Sequence, residues 1–294
     1  MFYRFSKPAM VILMLMRGAE MFACTNCISE DPLNLSPSEK WKVYTGFSKS
    51  DDFVFMDSNG AGVTQIGLDS RNITTIALGY TLSPRAFVTM TAPYIVNERG
   101  NTQRSGWGDG MVTTRYMINE VGAINSWWPQ IQGVVAIMDG RATSIYDYKD
   151  PAQLDVFGAG VPQWRLGSDA SIGSPDWNGL VAANIYGPAN SKETDFGTLR
   201  NGLTLELKVE GSRSYGDRQK VLWGINFEKT SNKTLNQDAV ANSESQGATA
   251  FIAGEAAIAH NSAIQLTLKK SAAIAFARNF RRSDSVTGAL VRSF

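Results

Sequence analysis

The feature that most constrains this chain is a period of two. In the stretch LTLELKVE (203–210), Leu203, Leu205, Leu207 and Val209 take every second position, and Thr204, Glu206, Lys208 and Glu210 take the others. Side chains of a β-strand point alternately to opposite faces, so this stretch makes a strand with one oily side and one polar side. The pattern recurs along the chain. Ile76, Leu78, Tyr80 and Leu82 form one stripe, and after a Ser83-Pro84 turn Ala86, Val88, Met90, Ala92 and Tyr94 form another, with Arg85, Phe87, Thr89 and Thr91 opposite. Val112, Thr114, Tyr116 and Ile118 follow with Arg115 opposite, then segments at 131–138, 156–167, 177–186 and 199–210. Val221, Trp223, Ile225 and Phe227 make the next stripe, followed by 247–259, by Ile264, Leu266 and Leu268 (a strand running on toward 272–276), and by 285–294. With 41–48 at the start, the reading is about twelve strands of roughly 8–13 residues, the length of a tilted membrane strand.

The connections sharpen this. Those after the first strand and at 97–108, 139–155 and 230–246 are long, whereas Ser83-Pro84 and 260–262 are short; the medium link NEVGAINSWWP is the main exception to an alternation. Short turns on one rim and long loops on the other are the plan of an outer-membrane barrel. A soluble β-sandwich also alternates, so other features must decide. Charged residues are 19% of the chain and net charge is +1, which leaves no electrostatic case for nucleic acid. The polar faces carry Thr, Gly, Ala and Gln more than Lys and Glu. Trp41, Tyr94, Trp107, Trp127, Trp128, Trp177 and Tyr186 fall near strand ends, as interfacial girdles do. Phe294 closes the last strand, where barrel-assembly machinery reads an aromatic residue, although Arg292 stands where an apolar one is preferred. An even strand number closes the sheet and leaves no edge. Turning LTLELKVE inside out would cost roughly 2–4 kcal/mol for a cation at the bilayer midplane. The leucines therefore face lipid and the charges face the lumen.

The expected fold is all-β: a single closed antiparallel transmembrane barrel spanning 41–294. Before it, Arg4 and Lys7 followed by AMVILMLM (9–16) read as a signal peptide over 1–23, with a cut near Ala19 or Ala23. Residues 24–40 form a periplasmic or plug segment. Cys24 and Cys27 are the two cysteines of the chain. They fit a redox motif, half a zinc site, a disulfide or, for Cys24, a lipid-bearing N-terminus; in an exported chain a local disulfide is favoured. With His260 the sole histidine, a complete metal site is not expected, and no cofactor is implied.

Two motifs resemble a bacterial family, the outer-membrane transporters named after the meta-cleavage pathway of phenol degradation. ACTNCISEDPLNL supplies Cys24, Cys27, Asp31 and Pro32, and GWGDGMVTTRYMI supplies Gly106, Gly108 and Asp109 followed by Arg115 and Tyr116. The family's third cysteine is missing: Ser29 stands there, and Ile28 replaces its glycine. The resemblance implies an outer-membrane barrel and names no solute for this chain.

The inward set expected from alternation is Arg85, Arg115, Glu206, Lys208, Glu210, Lys220, Glu228, Glu255 and Lys269. Charges lining a pore set its selectivity, and this mixture favours polar or zwitterionic solutes. The expected function is passive passage of small hydrophilic or aromatic solutes across the bacterial outer membrane, in contact with outer-membrane lipid and without enzymatic activity. The alternatives are a structural or adhesive barrel sealed by its own ion pairs, a soluble exported binding sandwich, and a barrel hydrolase. A hydrolase needs a nucleophile beside a base, and His260 falls in a short turn next to Asn261 and Ser262. Asp109, between glycines, reads as turn chemistry rather than as a solute contact.

Overall fold

The computed structural model describes residues 39–294 apart from 57–61, 66–67, 120–128, 145–146, 148, 151–153, 175, 195–196, 217, 260 and 272–279. The expectations for the signal peptide, for Cys24, Cys27, Asp31 and Pro32, for Trp127 and Trp128, and for His260 lie outside the described residues.

Twelve strands form one closed antiparallel barrel. They are β1 (Trp41–Met56), β2 (Ser70–Ser83), β3 (Ala86–Arg99), β4 (Met111–Met117), β5 (Gln130–Met138), β6 (Gln163–Gly173), β7 (Trp177–Pro188), β8 (Thr204–Tyr215), β9 (Gln219–Thr230), β10 (Ser245–Ala259), β11 (Ser262–Ser271) and β12 (Phe280–Ser293). Each pairs with its sequence neighbours, and β12 returns to β1 from Lys42↔Ser293 to Met56↔Phe280. Every backbone donor and acceptor in the ring thus has a neighbouring strand, the condition for crossing hydrocarbon with strands. The ends of β2, β4, β6, β8 and β10 and the starts of β3, β5, β7, β9 and β11 share one rim, the turn rim, with the start of β1 and the end of β12. The ends of β3, β5, β7 and β9 lie at the other, the loop rim.

The alternation sorts the faces. Outside, Leu78, Val112, Ile137, Val181, Leu205, Leu207, Val209, Trp223, Ile252, Leu266 and Leu290 are exposed, an apolar belt of the kind that faces lipid. Trp41 packs on Tyr80 with ring centroids 4.3 Å apart at the turn rim, and Tyr94 meets Trp107 edge-on at 5.3 Å at the loop rim. Phe294 is exposed at the turn rim beneath the Arg292 guanidinium, 4.8 Å from its ring centroid. That stacking gives a cation on the outer face an aromatic partner. Inside, the buried residues include Phe87, Thr89, Thr113, Gln132, Ala182, Ser212, Ala253 and Thr267.

Several strand ends differ from the sequence expectation. β1 continues past Ser48 to Met56, and β12 begins at Phe280 rather than at Ser285. The stretch 156–162 is loop, with β6 starting at Gln163; Gly160 has φ +66°, which an extended strand cannot accommodate. The stretch 199–210 is divided: Gly197–Arg200 belongs to a small sheet on the loop rim, and β8 starts at Thr204. That sheet joins Lys192–Thr194, Gly197–Arg200, Thr234–Leu235 and Asp238–Ala239.

Candidate functional site

Among the described residues, the inner wall holds ion pairs that skip one strand and one that runs along a single strand. Arg115 on β4 is 3.7 Å from Asp169 on β6, with its guanidinium over the Phe87 ring at 5.8 Å. Arg165 on β6 is 3.3 Å from Glu206 on β8, and Asn184 on β7 donates to the same carboxylate oxygen at 3.2 Å. Lys208 pairs with Glu210 two positions along β8 and lies over the Phe251 ring at 5.9 Å. Side chains two apart on a strand share a face, which permits this last contact.

The other residues of the expected inward set fall as follows. Glu228 stands directly opposite Glu206 across β8 and β9 and accepts from Asn226 at 3.0 Å. Lys220 is buried and stands opposite Glu255 across β9 and β10. Lys269 is half-buried near the loop end of β11, opposite Phe251. Arg85 is a correction: it is exposed in the two-residue turn between β2 and β3, its carbonyl accepting from Met117 N at 2.7 Å. It has the inward parity of β3, but the strand starts one residue later, so it belongs to the rim and not to the wall.

Alternation missed several residues that matter here. Asp169 and Arg165 lie in QWRLGSDASIG, where apolar and polar positions do not alternate cleanly. Lys42 is fully buried at the turn rim and sits 3.4 Å from Glu39. Asn97 is fully buried on the inner side of β3. Its amide donates to the carbonyls of Leu154 at 2.9 Å and Val156 at 3.1 Å.

Those bonds hold Leu154 and Val156, in the connection after β5, against the inner face of β3. The glycine-rich motif supplies its seat. Asp109 accepts from Ala142 N at 2.9 Å and from Ala159 N at 2.6 Å, so each carboxylate oxygen is used on loop backbone. A Cβ on Gly106 would lie 2.5 Å from the Phe157 ring, and one on Gly158 would lie 2.3 Å from Asp109 Oδ2. Both glycines are there because the loop approaches too closely for any side chain. Asp109 therefore acts on a distant segment rather than on its own turn. Arg104 reaches Asp150 at 3.5 Å. Lys192, in the small rim sheet, donates to Ser144 Oγ at 2.9 Å and pairs with Asp147. Partial burial alone would push the Asp147 carboxyl up, but hydrogen bonds from Lys192 and Ser144 and the Lys192 charge outweigh it and hold the group below the ordinary aspartate value.

No family model and no curated protein matches this chain. Among solved structures, an outer-membrane channel from Pseudomonas putida F1 is similar with a TM-score of 0.70 at 13% identity, over 90% of this chain and 99% of that one. The NanC porin is similar with a TM-score of 0.53 at 8% identity, over 86% of this chain and 100% of that one. The likeness is one of fold: the closed β-barrel of bacterial outer-membrane proteins.

Proposed function

We propose that this protein is a porin-like channel of the bacterial outer membrane, passing small polar solutes by diffusion. The observation that carries the reading is the inner wall. A barrel with an apolar outside keeps Arg115, Asp169, Arg165, Glu206, Lys208 and Glu210 on its inside, where a purely structural wall would be served by small and apolar side chains. Charge inside a membrane-spanning element marks a solute path, because its burial has a cost that packing alone does not repay. Arg115, Glu206, Lys208, Glu210, Lys220, Glu228, Glu255 and Lys269 are the pore-lining set of this reading. The 139–162 loop, seated by Asp109 and Asn97, narrows the mouth. The two short motifs support a place in the meta-cleavage transporter family, with the missing third cysteine as its weakest point.

Single-channel recording of the refolded protein in a planar bilayer tests the function. Discrete conductance steps in potassium chloride are expected, and a baseline without steps overturns the channel in favour of a sealed structural barrel.

A further inference from the structure

One inward row near the loop rim carries donors and positive charge. Alternation along β11, β12, β1, β2 and β3 turns Lys269, Ser285, Ser50, Arg71 and Asn97 to the lumen. The strand register sets them side by side: Lys269↔Ser285, Ser285↔Ser50, Ser50↔Arg71 and Arg71↔Asn97. Neighbouring strands lie about 4.8 Å apart, so the two cations stand roughly 14 Å apart at their Cα atoms, with two short hydroxyl side chains between them. A solute resting on the serines has a cation on either side.

The first sign that something is held there is Arg71. Its Nε is buried and has no hydrogen-bond partner among the described residues, and none of their carboxylates pairs with it. Arg115 and Arg165 differ, since each faces a carboxylate across the wall, at 3.7 Å and 3.3 Å. Asn97, beside Arg71 on β3, has its amide committed to the carbonyls of Leu154 and Val156. A guanidinium offers donors alone, and its planar fork matches an oxyanion.

The serines are the second sign. One row deeper, Thr287 donates to Ser48 at 2.9 Å, and that pair closes on itself. Ser50 and Ser285 also stand directly opposite each other, but their hydroxyls make no hydrogen bond among the described residues. The acids next to them in sequence, Asp51 and Asp284, have outward parity. They pair with Lys49 at 3.7 Å and with Lys270 at 3.8 Å, cations of the same outward face.

We infer that this row is a docking station for small organic oxyanions, a carboxylate or equivalent group on a compact body. The Arg71 fork grips the anion, the Ser50 and Ser285 hydroxyls donate to it, and Lys269 adds its charge. A bidentate, charge-assisted contact of this kind is the strong one for a carboxylate. The inference deepens the channel reading and rests on it only in that the anion reaches the row through the lumen. A cation of equal body meets two like charges there.

The test uses the full chain, refolded and checked by heat-modifiable migration, with benzoate as probe and benzylammonium as the cation of similar body. Benzoate is expected to lower the single-channel current in a saturable manner, and benzylammonium to leave it in place. Arg71→Gln is expected to weaken the benzoate block at least about tenfold, the loss of roughly one charge-assisted contact. Arg71→Lys keeps the charge and loses the fork, so its block falls between the two; wild-type strength there overturns the assigned grip. Ser50→Ala/Ser285→Ala is expected to weaken the block severalfold. Equal action of the two probes, or a benzoate block unchanged in Arg71→Gln, overturns the station and leaves the channel intact. If Arg71→Gln does not fold, the serine double variant and Lys269→Gln decide, and a block unchanged in both overturns it. Absence of current steps in plain salt overturns the channel. Calorimetric titration of benzoate into the full chain in detergent, wild type against Arg71→Gln, then still decides the station.

Discussion

Strands β4–β9 carry Arg115, Asp169, Arg165, Glu206, Lys208 and Glu210 on their inner face, whereas β10–β12 and β1–β3 face them with Ala253, Thr267, Thr287, Ala289, Gly46 and Ser48. Charges on the second wall lie toward its rims, as with Lys42 beside Glu39 and Lys269 at the loop end of β11. Both walls present the same apolar belt outward, so the membrane does not demand the difference. It belongs to the lumen: one side holds charge in ordered pairs, and the middle of the other is mostly uncharged.

The largest effect expected from breaking this comparison comes from exchanging outside for inside. Leu207→Arg would turn a cation to lipid at a cost of about 2–4 kcal/mol and reduce the heat-modifiable folded form. Thr267→Arg, on the smooth inner wall, is expected to fold and to shift ion selectivity toward anions; equal loss of folding in the two variants would contradict the assignment of faces. The next effect is on the loop. Asp109→Ala orphans the Ala142 and Ala159 amides, at about 1–3 kcal/mol for each donor left buried, and is expected to raise single-channel conductance and its noise as 139–162 leaves its seat.

Selectivity variants are gentler. Asp169→Asn is expected to move the reversal potential in a salt gradient toward anion preference, and Arg115→Gln toward cation preference. A Thr287→Val change on the opposite wall should leave it in place. The smallest effect is the rim tie between Lys192 and Asp147. The Asp147 carboxyl is held below its ordinary value of about 4, so the tie is fully present above that pH and is lost as pH falls through the lower folded-state value. Channel noise is expected to rise in that acidic range in the wild type. Lys192→Met should show the noise already at neutral pH.

Much of the barrel was legible in advance, because lipid and lumen impose opposite demands on alternate residues and LTLELKVE answers both. Glu206, Lys208 and Glu210 follow from that parity alone. Arg165 and Asp169 did not, since Gly167 and Ser168 interrupt the stripe and nothing local marks QWRLGSDASIG as two-faced. Arg85 misled because parity says nothing about where a strand starts. Asp109 misled because a turn signal and a clamp on a segment some fifty residues away look alike in sequence, as its bond to Ala159 shows.

The sequence by itself determined the strands, their number and which face meets lipid, because a period of two is a local property and the bilayer penalises error at every step. Only the tertiary structure decided which charges meet. Lys208 turned to Glu210 on its own strand, Glu206 met Arg165 two strands away, and Glu228 stood opposite Glu206. Those pairings depend on the register and stagger of neighbouring strands around a closed ring, and no single strand carries that information.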